Sequence, residues 1–153
     1  REQGIVADYV IMMGYDEHFA GGEAGSVSSI NYVKNGIAGM LENVPREKLI
    51  GGVPFYTRLW TEVGDGTTTS KAMGIAEEKR WVDNNQVELT WQADTAQYYG
   101  EVQTSDGAQF LWMEEERSLK EKMNVIRQND LAGVACWKLG FEDSAAWDSI
   151  QWN

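Results

Sequence analysis

The sequence predicts an α/β fold: a parallel sheet with helices between its strands and a small antiparallel insertion. Three observations carry this. Three short apolar runs, at residues 7–14, 48–54 and 133–139, each lead into aromatic or polar residues. A strand buried on both faces of a parallel sheet reads in this way, with its chemistry at the C-terminal rim. Helical periodicity fills the stretches before the second and third runs, whereas residues 61–112 alternate apolar and polar positions as antiparallel strands do. Tyr15, Asp16, Tyr56, Arg58 and Trp137 would then share one mouth.

Ala7 to Gly14 is apolar at nearly every position and reads as the first strand. The Gly-rich stretch after it makes Glu17–Ser28 a long loop, expected to be mobile or to face a ligand. Ile30, Val33, Ile37 and Leu41 recur at helical spacing, Ser28 or Ser29 can cap the first turn, and Pro45 lies beyond the end. Lys48 to Pro54 is the second strand, and Phe55 to Trp60 is expected to prolong it as an aromatic, basic rim.

The insertion should hold a Gly/Thr-rich loop, a short helix over Lys71–Val82, and strands at QVELTW, AQYYGEVQ and AQFLW with SDG as the last turn. Ser118 with Glu121 three residues later reads as a capping box, and Leu119, Met123 and Ile126 line one face of the helix that they begin. The run Glu114–Glu116 reads as a solvated approach to that helix. Gly133 to Leu139 is the third strand, and Ser144 to Ile150 is a closing helix with Trp147 and Ile150 inward. Three units result: residues 1–60, 61–112 and 113–153.

Composition excludes several functions. The net charge of −11 opposes binding to nucleic acid or to an anionic membrane surface. A neutral or basic partner, or a sugar, remains. Seven tryptophans and six tyrosines supply flat rings that can lie against sugar faces, although most such rings pack cores. Cys136 is the single cysteine, so no intrachain disulfide and no cysteine metal cluster can form, and its apolar surroundings mark it as inert core. His18 is the sole histidine, without the spacing of a Ser–His–Asp triad or an HExxH zinc site. Neither a metal nor another cofactor is expected, and carboxylate chemistry is what remains. No apolar stretch approaches the roughly 18 residues of a membrane span, and no export signal is present. The start at Arg1 reads as that of a fragment or a processed product.

Three strands with their helices occupy far less than the roughly 250 residues of a closed eight-stranded barrel. The chain is therefore either a small open α/β sheet or the last part of a barrel. Four spaced motifs bear on this choice. They are Met13-Gly14-Tyr15-Asp16; Lys48 through Tyr56; Trp112-Met113-Glu114-Glu115 with Ser118 and Lys122 beyond it; and Gly133 through Gly140 with Glu142, Asp143 and Trp147. In this order they resemble the C-terminal portion of glycoside hydrolase family 18, the chitinase-like barrels, in its bacterial cell-wall and spore-type branch. The resemblance covers almost the whole chain. It implies strands 6 to 8 of a (β/α)8 TIM barrel with a small antiparallel α+β insertion.

The resemblance also implies a chemistry. Such enzymes are an exception to the two-carboxylate scheme: the substrate's own N-acetyl carbonyl attacks the anomeric carbon while one Glu protonates the leaving oxygen. Tyr15 and Asp16 would be the catalytic residues, Tyr15 donating a hydrogen bond to the acetamide oxygen and Asp16 orienting the sugar. Trp137 would be the floor beneath the reacting ring, with Tyr56, Arg58 and Met13 also binding substrate. The family's acid lies in a D-x-x-D-x-D-x-E motif, and no stretch here matches it. The chain alone is thus expected to be inactive, and a lectin-like carbohydrate-binding module is the alternative. The implied ligand is an N-acetylglucosamine-containing oligosaccharide, and the implied location is extracellular or cell-wall associated. Exposed outer strands should favour self-association or pairing with the rest of a barrel.

Overall fold

Two sheets of different kinds share the chain, which passes from one to the other at Phe55. The computed structural model describes residues 2–151. A short helix α1 (Glu2–Val6) precedes strand β1 (Val10–Met13), helix α2 (Ile30–Leu41) and strand β2 (Leu49–Pro54). Next come strands β3 (Tyr56–Glu62) and β4 (Thr68–Gly74), helix α3 (Ile75–Asn84), and strands β5 (Leu89–Gln92), β6 (Gln97–Thr104) and β7 (Gly107–Trp112). Helix α4 (Glu116–Gln128), strand β8 (Gly133–Trp137) and helix α5 (Ser144–Ser149) complete the described residues.

The first sheet is parallel, in the order β1-β2-β8, with Val10 opposite Leu49 and Ile50 opposite Gly133. Its strands need crossovers, because a parallel neighbour cannot be reached by a hairpin. Helix α2 makes the first crossover, and the insertion together with α4 makes the second. Side chains alternate between the two faces. Met12, Leu49 and Val53 join the core with Val33 and Ile37 of α2 and Leu119, Met123 and Ile126 of α4, all buried. Burying each such side chain is worth about 1.5–3 kcal/mol, so this layer holds the parallel sheet in place. The opposite face is bare: Ile11 is 53% exposed, Met13 67% and Trp137 54%.

The second sheet is antiparallel, in the order β4-β3-β7-β6-β5. Helix α3 covers one face through Leu59, Met73, Val82 and Leu111, with Trp81, Val87 and Tyr98 packed against them. Lys79 on α3 ties the two layers, reaching Glu116 at 2.5 Å and Asp143 at 2.6 Å.

Several expectations need correction. Tyr56–Trp60 does not prolong β2. The Phe55 N–H donates to Trp137 O at 2.7 Å, and beyond it the chain turns into β3, which pairs with β4 from Tyr56–Gly74 to Glu62–Thr68. Lys71–Gly74 is strand rather than helix, so α3 starts later, at Ile75. The capping box of α4 has its roles exchanged: Glu115 is the N-cap and accepts from the Ser118 N–H at 2.9 Å, while Ser118 Oγ accepts from the Glu115 N–H at 2.9 Å. Ser29, of the two serines considered, caps α2 by accepting from the Tyr32 N–H at 3.1 Å. Helix α5 turns Ala146 and Ser149 inward, whereas Trp147 is 42% exposed and lays its ring edge-on to Phe55 at 5.3 Å. Cys136 is only partly buried, and that burial pushes its thiol up to about 11.

Candidate functional site

The three parallel strands end side by side, so the residues just beyond β1, β2 and β8 meet at one rim. The Tyr15 ring stacks against the Trp137 indole with centroids 6.5 Å apart and 22° between planes, and meets Tyr56 edge-on at 6.2 Å. Its approach depends on Gly52, where an added Cβ would lie 3.3 Å from Tyr15 Cε1 and 2.6 Å from Met12 O. Asp16 has a φ of 59°, in the left-handed region that Asp adopts more readily than most residues. Its carboxylate accepts a hydrogen bond from the Tyr56 hydroxyl. Phe141 packs on the far side of Tyr56 at 6.2 Å.

Arg58, on the same face of β3 as Tyr56, donates from Nη1 to Ser70 Oγ at 3.2 Å, while its Nε is buried without a partner. Met13 lies one step below the mouth on the bare face, opposite Gly52. The structure therefore groups Tyr15, Asp16, Tyr56 and Trp137 tightly, puts Arg58 beside them, and leaves Met13 at the entrance to the bare face.

Electrostatics favour protonated phenols here. Burial, then the neighbouring Asp16 charge, holds Tyr15 above the ordinary phenol value. Burial, the hydrogen bond to Asp16 and the Asp16 charge push Tyr56 far higher, with Arg58 opposing them. Both hydroxyls stay protonated at neutral pH; Tyr56 gives its one proton to Asp16, and the Tyr15 hydroxyl keeps its own to donate. The Trp137–Lys138 peptide is cis, and the indole stands free beside the Tyr15 ring. An apolar face flanked by a hydroxyl donor and a carboxylate acceptor matches a pyranose ring, which has C–H faces to stack and hydroxyls to pair.

The loop Glu17–Ser28 is pinned rather than loose. Glu17 accepts from the Ser29 N–H at 2.7 Å and from its hydroxyl at 3.0 Å, Trp60 Nε1 donates to Gly25 O at 2.9 Å, and Ser28 Oγ donates to Gly14 O at 2.6 Å. Behind it runs a buried polar chain. Ser26 Oγ donates to Gln97 Oε1, Gln97 Nε2 to Glu114 at 3.1 Å, and Lys122 Nζ to both oxygens of Glu114 at 2.9 and 3.0 Å. Ser118 Oγ adds a bond to Glu114 at 2.8 Å. This network links α4 to the loop beyond Asp16.

Glu114 is thus fully buried and not a solvated approach to the helix. The signal was present in the spacing: Glu114, Ser118 and Lys122 recur every four residues, beside the apolar face of Leu119 and Met123. Burial raises the Glu114 carboxyl above its ordinary value, and the Lys122 ammonium acts to bring it back down.

Glu78, on α3, completes the polar core: one oxygen accepts from the Glu114 N–H at 3.3 Å and the other, Oε1, has no partner. Burial raises its carboxyl well above the ordinary range. A folded-state value above the unfolded one means that this group's stabilisation is complete below about pH 4.3 and is lost as pH rises through the folded value. Glu78→Gln is expected to flatten that decline, so that thermal melts of the variant fall less between pH 5 and pH 8 than those of the parent chain. Parallel pH profiles for the two would refute this.

Known proteins resemble this chain in sequence and fold. The family described as "Glycosyl hydrolases family 18" matches residues 3–142. The chain is 30% identical over 149 residues to the uncharacterized glycosylase YvbX of Bacillus subtilis, covering 97% of this chain and 43% of that protein. It is 28% identical over 149 residues to the cortical fragment-lytic enzyme of the same organism, covering 96% of this chain and 35% of that protein. Among solved structures, a chitinase from Chromobacterium violaceum superposes with a TM-score of 0.88 at 24% identity, over 96% of this chain and 45% of that one. The chain spans less than half the length of each.

Proposed function

The chain belongs to the glycosyl hydrolases of family 18, and from that premise we propose that it is the C-terminal part, strands six to eight with an antiparallel insertion, of a barrel enzyme. The enzyme would cleave an N-acetylglucosamine-containing polymer, chitin-like or peptidoglycan-like, with retention of configuration. The observation that carries this is the meeting of Tyr15, Asp16, Tyr56 and Trp137 at the C-terminal ends of parallel strands. Active sites of barrel enzymes lie at that end.

In the proposed reaction the sugar ring rests on Trp137. The Tyr15 hydroxyl donates to the acetamide oxygen, holding it for attack on the anomeric carbon and favouring the charge distribution that develops there. The bond to the leaving oxygen breaks as that oxygen takes a proton, and water later opens the oxazolinium-like intermediate at the same carbon. Asp16 orients the sugar, with its carboxylate held by Tyr56, while Arg58 and Met13 line the approach. The proton comes from a Glu outside this chain, since no stretch here matches the family's D-x-x-D-x-D-x-E motif. The edges of β1 and β8 would receive the remaining strands, and the bare face bearing Ile11, Met13 and Trp137 would turn to the barrel interior and its mouth. Cell-wall association accords with the polymer it would act on.

The experiment is a titration of the chain with N-acetylglucosamine oligomers, monitoring tryptophan fluorescence and product release together. The expected result is a saturable fluorescence change, abolished in Trp137→Ala, with no hydrolysis. A lectin-like module would give the same binding, and the residue that ends the acid motif upstream separates the two: Glu for an enzyme, Gln or Leu for a lectin. No fluorescence change with any oligomer would remove the sugar-binding reading, and hydrolysis by the chain alone would remove the assignment of the acid to another segment.

A further inference from the structure

A hollow lies between the loop beyond Asp16 and the far end of the antiparallel sheet. Its volume is about 400 Å³, and its lining includes His18, Asn31, Gln92, Asp94, Thr95 and Trp112. That volume falls within the roughly 300–1,000 Å³ typical of small-molecule sites. Trp112 stands on the face of the sheet that α3 leaves uncovered, in a cluster with Tyr99 at 5.1 Å and Phe110 at 6.0 Å. Its indole N–H donates to Gln92 Oε1 at 2.8 Å, which fixes the ring at the wall of the hollow.

The lining selects its occupant by chemistry. No lysine or arginine is among the lining residues, so an anion has nothing to pair with. Glu17 also lines the hollow with both its oxygens accepting from Ser29, and no group of three or more metal-binding side chains occurs among the described residues. His18 Nδ1 donates to Ser26 O at 2.8 Å, which leaves Nε2 of the neutral ring as an acceptor. One fixed aromatic ring, an exposed carboxylate at Asp94, the Asn31 amide, whose Nδ2 also donates to Asp94 O at 3.1 Å, the Nε2 amide of Gln92 and an imidazole acceptor suit a neutral, polyhydroxylated ring. Glu17 and His18 come directly after Asp16, so the hollow is continuous in sequence with the cleft.

We infer that this hollow is an additional saccharide-binding subsite, in which a sugar unit of the same polymer lies against Trp112 and pairs with Asp94 and Asn31. The inference rests on the sugar-binding reading of the Tyr15–Trp137 cleft. Its test is a nitrogen–proton NMR titration of the protein with N-acetylglucosamine dimer and hexamer, reading the indole N–H signals, with Trp112 identified through Trp112→Phe. The expected result is a shift of the Trp112 signal with the hexamer, and at least fivefold weaker hexamer binding in Asp94→Ala with dimer binding unchanged. Asp94 is exposed and its side chain supports no element, so this variant folds as the parent does. A silent Trp112 signal while Trp137 responds, or hexamer affinity unchanged in Asp94→Ala, overturns the subsite and leaves the cleft standing. Silence at both indoles overturns the cleft and the subsite together.

Discussion

Lys122→Met is expected to lower the stability of the protein by about 3–5 kcal/mol, the cost of leaving a buried charge without its partner. Lys122 and Glu114 are both fully buried, and the ammonium supplies two of the four side-chain bonds that reach the Glu114 carboxylate. Against a total stability of about 5–15 kcal/mol, this is a large fraction. The urea midpoint should fall sharply, and it should fall less at acid pH, where Glu114 can take up a proton instead of remaining an unpaired anion. Combining Lys122→Met with Glu114→Gln should recover most of the loss, because the uncompensated charge is then gone. A single variant as stable as the parent at pH 8 would show that the pair contributes nothing.

The second large effect concerns Tyr15. In the protein completed by the strands that carry the acid, Tyr15→Phe is expected to lower kcat by about 10²–10³-fold, the usual consequence of losing one donor aimed at developing charge. KM should move much less, because the phenylalanine ring keeps the stacking on Trp137. The hydroxyl is suited to this role because burial and Asp16 keep it protonated, and no alkaline loss of the donor is expected near neutral pH. Steady-state kinetics on an N-acetylglucosamine oligomer would decide it, and a kcat within about threefold of the parent would exclude the assigned hydrogen bond.

What could be read in advance was what local chemistry determines. Ile30, Val33 and Ile37 place their own helix, and Ser29 caps it, within one stretch of chain. The three apolar runs likewise declared a parallel sheet, since burial on both faces leaves no polar alternation to confuse. Strand β4 was invisible because Lys71–Val82 is rich in good helix formers. Only the pairing of Thr68–Gly74 with β3 makes its first part extended, and that pairing depends on where β3 begins. The turn at Phe55 depends in the same way on Trp137, whose carbonyl receives its N–H from far along the chain. Glu114 was read as solvated because three adjacent glutamates usually are; its partners Gln97 and Lys122 come from different elements. The cleft was legible through its motifs, while the packing of Phe141 on Tyr56 and the pinning of the loop at Gly25 required the fold.

The register of β2 carries one more consequence, for the order in which the molecule can be made. β2 has β1 as a near neighbour across a single helix, but its other partner, β8, is separated from it by the whole antiparallel sheet and α4. The hairpins β3–β4 and β6–β7 close short loops, which cost little entropy and form early; the β2–β8 seam closes a very long one. On a ribosome the insertion can therefore be complete while the edge of β2 is still bare. The strand that carries Trp137 arrives last, and its arrival both covers that edge and puts the indole beside Tyr15. The β2–β8 seam and the contact of Trp137 with Tyr15 are made in one step.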